Sequence, residues 1–282
     1  MKQIASVAEM KAACRAITRT GESLGFVPTM GALHAGHASL VRASKAQCQA
    51  TAVSIFVNPL QFGPTEDLAK YPRTLERDAE MLEVLGVNLL FLPTVEEMYA
   101  AGATTHVEVA GLSDRLDGRS RPGHFRGVAT VVAKLFEIVR PDRAFFGQKD
   151  AAQVAVLRRM VRDLDMDVEL VVCPIVREPD GLAMSSRNAY LNATERKQAL
   201  VLQRALMRVL HEAEKGERDA AKLISVGESV IAEEPAARLD YFAVVDPDSL
   251  EAVSDLSRGA LVAVAAFVGA TRLIDNLLLA PR

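Results

Sequence analysis

The feature that most constrains the fold of this chain is a regular alternation along its first two thirds. Short apolar runs of the kind found in strands are separated by stretches with the periodicity of helices. Such an alternation builds β-α-β crossovers, so we predict an α/β fold with a doubly wound parallel sheet. The predicted strands are Leu24–Pro28, Thr51–Val57, Asn88–Leu92, Asp142–Phe146 and Val168–Val172, and the predicted helices between them are Gly36–Gln49, Thr74–Leu85, Gly127–Arg140 and Asp150–Asp163.

The pattern changes after Leu191, where two amphipathic helices are followed by clustered strands. A chain of 282 residues has room for two modest domains at about 150 residues each. We predict a larger domain over residues 1–176 and a smaller C-terminal α+β domain over residues 177–282. The elements predicted in the smaller domain are helices Thr194–Lys215 and Ala220–Glu234 and strands Tyr241–Val245, Leu261–Phe267 and Arg272–Asn276.

The composition excludes several classes of protein. Apolar residues make up 50% of the chain and charged residues 24%, which is typical of a globular protein and not of a disordered one. The longest apolar run, Ala260–Ala270, is shorter than the roughly 20 residues of a membrane span. Lys2, Glu9 and Lys11 interrupt the place where a signal peptide would be apolar. A net charge of −3 argues against nucleic-acid and membrane partners.

The cysteines and histidines form no metal-binding motif in the sequence. Cys14, Cys48 and Cys173 are odd in number and scattered, which is typical of small core residues in a reducing compartment. We therefore expect a cytoplasmic protein without a zinc or iron site.

The segment Thr29–His37, which follows the first predicted strand, carries two histidines at the start of a helix. His34 and His37 are three residues apart, so they lie on one side of that helix. The free N–H groups and the dipole of a helix start attract phosphate and disfavour a charged imidazolium. Gly31 and Gly36 allow a nucleotide to approach the main chain closely. The pattern favours a nucleotide-binding loop over a pair of histidines that only cap the helix.

Two segments together resemble the signatures of one nucleotide-binding superfamily. Thr29–His37 resembles the HIGH signature of the nucleotidyltransferases, which include class I aminoacyl-tRNA synthetases and small adenylyl- and cytidylyltransferases. Met184–Arg187 occupies the place of the second signature, KMSKS, with Ala183 instead of the first lysine and Arg187 instead of the second. One guanidinium can still clamp pyrophosphate through bidentate hydrogen bonds. The resemblance implies a Rossmann-like sheet.

Further motifs are similar to those of the pantothenate synthetase family, over nearly the whole chain and most densely between Phe26 and Asn188. Enzymes of this family condense pantoate with β-alanine at the expense of ATP, on the route to coenzyme A. Their reaction passes through a pantoyl-adenylate and releases AMP and pyrophosphate. The resemblance also implies a homodimer. The motifs are Val27–His34, Phe56–Phe62, Tyr71–Thr74, Arg121–Val128, Phe146–Asp150 and Met184–Asn188.

The resemblance also implies roles for individual residues. His37 resembles the family's catalytic proton donor, with His34 beside it and Lys149 as a cation near the triphosphate. The implied ATP-binding residues are Met30, Gly31, Ala32, Leu33, His34, Ala35, Gly36, His37, Gly147, Gln148, Lys149, Asp150, Val176, Met184, Ser185, Ser186 and Arg187, with the ribose at Gly147 and Asp150 and the adenine at the main chain of Val176.

Pantoate carries two hydroxyl groups, so its site needs uncharged donors and acceptors, and a glutamine amide supplies both. Taken alone, each glutamine is more typical of a solvated surface than of a binding site. The family's contacts to pantoate correspond to Gln61 and Gln153, with Gln61 also at β-alanine, Asn58 and Tyr71 as further candidates, and Pro28 and Met30 as an apolar floor.

Mg²⁺ is expected with ATP because substrate phosphates hold this ion with few protein ligands, which the sequence does not name. The arginine-rich loop Gly111–Gly127 is either a solvated surface or an electrostatic partner of a polyanion, and no individual roles are assigned to its side chains. The domain after Val176 is expected to close over ATP as a lid that moves with the loop Glu178–Asn188. Closure would protect the adenylate from water.

Other functions of the same fold are alternatives. One alternative is a non-catalytic ATP-binding sensor, which would not need Gln61 and Gln153. Another is a cytidylyltransferase, whose reaction gives no reason for the same two glutamines. A relative of the aminoacyl-tRNA synthetases would need an anticodon domain and a basic face for tRNA. Release of pyrophosphate on addition of pantoate and ATP distinguishes the ligase from the sensor.

Overall fold

The computed structural model describes residues 1–64 and 66–281. Within these residues, six parallel strands form one sheet in the order β1-β4-β3-β2-β5-β6, and three antiparallel strands form a smaller sheet in the order β7-β8-β9. The strands are β1 (Lys2–Ile4), β2 (Leu24–Thr29), β3 (Ala50–Ile55), β4 (Leu89–Phe91), β5 (Arg143–Gly147), β6 (Glu169–Cys173), β7 (Ala237–Val245), β8 (Ala260–Val268) and β9 (Thr271–Leu279).

Helices connect the parallel strands, as the alternation in the sequence predicts. The helices are α1 (Val7–Thr18), α2 (Ala35–Gln47), α3 (Leu75–Val84), α4 (Val95–Met98), α5 (Asp117–Ser120), α6 (His124–Val139), α7 (Ala151–Asp163), α8 (Ala193–Ala199), α9 (Val201–Glu214) and α10 (Ala220–Ala232). The predicted fold class is confirmed: a doubly wound parallel sheet accompanies a smaller α+β part.

Three predictions about individual elements need correction. The helix predicted at Thr194–Lys215 is two helices, α8 and α9, which meet at Leu200. The segment Gly111–Gly127 is not a continuous loop, because it contains α5 and the first turn of α6. Gly123, with a φ of 81°, turns the chain just before α6, so this helix begins at His124 and not at Gly127.

The parallel sheet reverses its strand order between β2 and β5. From β2 the chain continues outward through β3 and β4, whereas β5 and β6 lie on the opposite side. In open α/β sheets, ligands bind at the carboxyl ends of the strands at such a reversal. The segment Thr29–His37 leaves β2 at this point, and Gly147–Asp150 leaves β5 beside it.

The smaller sheet is joined to the rest of the chain by polar contacts. The amide of Asn276 donates to the main-chain oxygens of Gln148 and Lys149, at distances of 3.0 and 2.9 Å. Arg272 bridges Asp240 on β7 and Asp117 on α5, each at 2.7 Å. None of the helices in the two described ranges is long and apolar enough to cross a membrane.

Candidate active site

A cavity of about 240 Å³ lies at the carboxyl ends of β2 and β5. It brings together residues that the sequence analysis assigned to ATP and to pantoate. A second cavity of about 510 Å³ adjoins it and extends toward the smaller sheet. The predicted residues that line the first cavity are Pro28, Met30, His34, Gly36, His37, Asn58, Gln61, Tyr71, Gly147, Lys149, Asp150, Gln153, Val176, Met184, Ser185, Ser186 and Arg187.

Five predicted ATP-binding residues do not line this cavity. Gly31, Ala32 and Leu33 lie in the loop after β2, Ala35 is the first residue of α2, and Gln148 lies in the turn after β5. In the sequence, these five residues lie between residues that do line the cavity.

The two histidines at the start of α2 are in direct contact. His34 is the N-cap residue, and its Nδ1 accepts a hydrogen bond from the main-chain N–H of Gly36 at 3.1 Å. The main-chain N–H of His34 donates to Nδ1 of His37 at 3.3 Å, and the ring centroids are 4.1 Å apart. Because each Nδ1 accepts, a neutral ring carries its proton on Nε2. Both rings thus offer one N–H donor.

Both histidines are neutral at neutral pH. Burial lowers the pKa of His37 to about 3, with smaller contributions from the neighbouring His34 and from Lys149. Burial also lowers the pKa of His34 to about 4, with a further contribution from Lys149. The helix dipole alone already predicts neutral rings. Desolvation is the larger cause.

Two segments resemble the superfamily signatures, Thr29–His37 and Met184–Arg187, and these superfamily-like segments touch each other. The hydroxyl of Ser186 donates to the main-chain oxygen of Ala32 at 3.1 Å. The main-chain N–H of Met184 donates to the oxygen of Val176 at 3.0 Å, which ties the start of the second segment to the chain that follows β6.

Gln61 is held at the cavity by neighbours. Its Oε1 accepts from the amide of Asn58 at 3.1 Å, and its Nε2 lies 3.0 Å from the sulfur of Met30. Every side-chain hydrogen-bonding group of Asn58 is engaged, because Nδ2 also donates to the oxygen of Gly127, and Oδ1 accepts from Leu60 and Tyr99. Asn58 therefore orients Gln61.

The arginine-rich segment contributes two side chains that the sequence analysis left without individual roles. His124 Nδ1 and the main-chain oxygen of Gln61 are 2.8 Å apart, and Nε2 of the same ring is 2.9 Å from Arg121. Burial, followed by the charge of Arg121, lowers the pKa of His124 to about 4, so the ring donates at Nδ1 and accepts at Nε2. Arg121 also binds Glu66 with two hydrogen bonds. In the sequence, the feature that could have identified these two side chains is the order Arg-Pro-Gly-His at residues 121–124.

The guanidinium of Arg187 forms an ion pair with a carboxylate. Its Nε and Nη2 donate to the two oxygens of Asp67, both at 3.0 Å. Burial opposes the charge of Arg187, but the hydrogen bonds and charge of Asp67 prevail and keep the pKa of the guanidinium above its ordinary value. The guanidinium carbon also lies 6.0 Å from the ring centroid of Tyr71.

Lys149 reaches the cavity from the turn after β5. Its ammonium is 3.8 Å from Asp150, which is a loose ion pair. Asp150 occupies the N-cap position of α7 but makes no side-chain capping bond there. Gln153, on the first turn of α7, lines both cavities.

Comparison with known proteins identifies the family. The family model described as pantoate-beta-alanine ligase matches residues 2–278. The chain belongs to the pantoate–β-alanine ligase family. Among curated members, the pantothenate synthetase of Koribacter versatilis is 62% identical over 279 residues, covering 99% of this chain and 96% of that protein. The pantothenate synthetase of Acidobacterium capsulatum is 64% identical over 292 residues, covering 99% and 97%.

Solved structures of family members have the same fold. The pantothenate synthetase of Thermus thermophilus superimposes with a TM-score of 0.95 at 50% identity, covering 100% of both chains. The pantoate–β-alanine ligase of Francisella tularensis, solved with β-γ ATP and β-alanine, gives a TM-score of 0.79 at 32% identity and covers 99% of this chain and 97% of that one.

Proposed function

We propose that the cavity between β2 and β5 forms a pantoyl-adenylate from pantoate and ATP and then transfers the pantoyl group to β-alanine. As a member of its family, the chain condenses pantoate with β-alanine in pantothenate biosynthesis, with ATP as a substrate. The observation that carries the proposed route is the meeting of the two superfamily-like segments, through Ser186 and Ala32, at the cavity that the neutral histidine pair lines.

The proposed first step is attack of the pantoate carboxylate on the α-phosphorus of ATP, which expels pyrophosphate. Catalysis of such a step depends on alignment and on stabilisation of charge at the phosphate oxygens. The Nε2–H groups of His34 and His37 are suited to this, and Lys149 adds a positive charge. We assign the ribose to Gly147 and Asp150. The adenine is assigned to the main chain of Val176.

We assign pantoate to Gln61 and Gln153, with β-alanine also near Gln61. Asn58 is assigned to holding Gln61, because its own hydrogen bonds are all made within the protein. The ring of Tyr71 is buried beside Phe62, with the ring centroids 6.0 Å apart, and it is assigned to the wall of the site.

Mg²⁺ is proposed to enter the site with ATP. In the two described ranges, no group of three or more histidine, cysteine, aspartate or glutamate side chains is arranged to hold a metal ion. An ion held mainly by phosphate oxygens needs few protein ligands, so the residues present fit an ATP-borne Mg²⁺. This ion neutralises charge on the phosphates, while the side chains named above orient them.

Residues 177–282 are proposed to act as a lid domain over residues 1–176. Arg187 must exchange Asp67 for a phosphate oxygen in order to clamp pyrophosphate, and that exchange moves the loop Glu178–Asn188. We also propose that the protein is a cytoplasmic homodimer and has no nucleic-acid or membrane partners. The cysteines Cys14, Cys48 and Cys173 are buried and free, which supports a reducing compartment.

The test of this function is isotope exchange. With Mg²⁺ and pantoate present and β-alanine absent, the enzyme is expected to exchange labelled pyrophosphate into ATP, because a retained adenylate makes the first step reversible. Addition of β-alanine should then yield AMP. An acyl-phosphate route would instead release ADP and phosphate. Formation of ADP, or exchange that proceeds equally well without pantoate, would show that the proposed route is wrong.

Replacement of either Gln61 or Gln153 by alanine is expected to weaken pantoate binding. Each variant loses hydrogen bonds worth about 0.5–3 kcal/mol, so the KM for pantoate in the exchange reaction should rise roughly 2- to 150-fold. The KM for ATP should change much less. Gln3→Ala, on the exposed edge strand β1, is the matched control and should leave both constants unchanged. An effect confined to ATP would move these glutamines out of the pantoate site.

A further inference from the structure

The loop between β2 and α2 contains a main-chain conformation that a non-glycine residue rarely adopts. Gly31 has a φ of 83° and Ala32 a φ of 50°. Glycine reaches this region freely, whereas alanine is strained there and stays only where its surroundings hold it. The loop leads directly into His34 and His37. Whatever holds Ala32 therefore sets the position of the histidine pair.

The group that holds Ala32 is a buried carboxylate on a different helix. Asp78, on α3, has no exposed surface. Its Oδ2 accepts from the main-chain N–H of Ala32 at 2.8 Å, and its Oδ1 accepts from that of Leu33 at 2.9 Å. Thr74 donates its hydroxyl to Oδ1 at 3.1 Å, which fixes the carboxylate in turn. Hydrogen bonds from N–H groups to a buried carboxylate are strong and directional.

The space beside Asp78 also restricts the loop. A Cβ atom on Gly31 would lie 3.2 Å from Oδ2 of Asp78 and 3.0 Å from the side chain of Ile55. Only glycine fits at this position without displacing the carboxylate.

The peptide groups of Ala32 are bound from two sides. Asp78 accepts from its N–H, and Ser186 donates to its oxygen at 3.1 Å. The first contact belongs to the parallel-sheet part of the molecule and the second to the segment that carries Arg187. Ala32 is thus the point at which the two superfamily-like segments are aligned, and Asp78 fixes that point.

We propose that Asp78 is a positioning residue for adenylation: it holds Ala32 and Leu33 so that His34, His37 and the Ser186 loop face the phosphates together. The inference rests on the proposed function of this cavity. Asp78 itself touches no substrate in this proposal, since its two oxygens are engaged by Ala32, Leu33 and Thr74.

The test is Asp78→Asn, whose amide keeps the size of the side chain but turns one acceptor into a donor that opposes a main-chain N–H. Pyrophosphate exchange should fall by about 10- to 100-fold in kcat, because a small misplacement of catalytic groups has an effect of that size. The KM for ATP should rise, and the Kd of pantoate, measured without ATP, should stay within about twofold of the parent. A purely structural role would instead lower the active fraction and leave the constants of the folded enzyme unchanged.

The matched control is Asp142→Asn. The carboxylate of Asp142 accepts from the main-chain N–H of Leu24 at 2.6 Å, at the opposite end of the same strand β2. This variant makes the same change of carboxylate to amide at an exposed residue far from the cavity, so its exchange constants should be those of the parent. An equal loss of kcat in Asp142→Asn would overturn the proposal.

Two further variants keep the proposal falsifiable. Adding Ala32→Gly to Asp78→Asn should recover part of the lost kcat, because glycine holds the left-handed conformation without strain. If Asp78→Asn does not fold, Thr74→Val removes only the hydroxyl that orients the carboxylate and should lower kcat by a smaller factor. Exchange by Asp78→Asn, or by Thr74→Val in its place, at the parent's rate would refute the role of Asp78. Absence of pantoate-dependent exchange in the parent would refute the proposed function instead.

Discussion

Replacement of His37 by alanine is expected to lower the rate of pantoyl-adenylate formation by about 10²- to 10³-fold, the usual effect of removing one donor that stabilises transition-state charge. The ring of His37 accepts at Nδ1 from the main chain of His34, so its Nε2–H is the group left for a phosphate oxygen. With its pKa lowered to about 3 by burial, the ring stays neutral throughout the working range of pH. The measurement is the kcat of pyrophosphate exchange.

The affinity for pantoate should change little in His37→Ala, because the ring is assigned to the phosphate side of the site. His211→Ala, on the exposed face of α9, is the control for loss of a histidine and should exchange at the parent's rate. Near-normal turnover combined with a large loss of pantoate binding would assign His37 to substrate positioning and not to the phosphates.

Removal of the guanidinium in Arg187→Ala is expected to reduce pyrophosphate exchange by about 10²-fold and to raise the KM for ATP. The segment Met184–Arg187 has this cation alone, since alanine replaces the first lysine of the superfamily pattern at position 183. Ala183 is buried in a bridge with Arg177, and its methyl group carries no charge in place of that lysine.

Asp67, the partner of Arg187, provides a control in which the affinity for ATP is not expected to fall. Asp67→Asn removes the carboxylate charge that Arg187 has to leave before it can clamp pyrophosphate. This variant should bind ATP as tightly as the parent or more tightly. A rise in the KM for ATP in Asp67→Asn, equal to that in Arg187→Ala, would mean that the ion pair itself, and not a freed guanidinium, serves ATP.

The architecture was predictable because it depends on periodicity. Each parallel strand from β2 to β6 coincides with a predicted apolar run to within a few residues, and the loops after β2 and β5 meet because parallel strands end on one edge. The edge strand β1 was missed, since its three residues contain only one buried side chain, Ile4. The start of α6 was missed because the turn at Gly123 depends on a local φ of 81°.

The hydrogen-bonding partners within the site were less predictable than its residues. His34, His37 and Gln61 belong to recognisable motifs, but Asp78 lies on a different helix and is one of many acidic residues in the sequence. Its contacts with Ala32 and Leu33 exist only because the fold brings α3 beside the loop that follows β2. Pairings such as Arg187 with Asp67 likewise depend on three-dimensional proximity across 120 positions of sequence.

The three neutral histidines around the cavity couple unfolding to the uptake of protons. His34, His37 and His124 have folded pKa values of about 4, about 3 and about 4, whereas an unfolded histidine titrates near 6.5. Below about pH 6.5 the unfolded chain therefore binds protons that the folded chain excludes. The stability that these rings contribute is complete above that pH and is lost as the pH falls toward 3. Acid thus destabilises the fold through rings that line the substrate cavity, so the groups that serve the site also limit the stability of the enzyme at low pH.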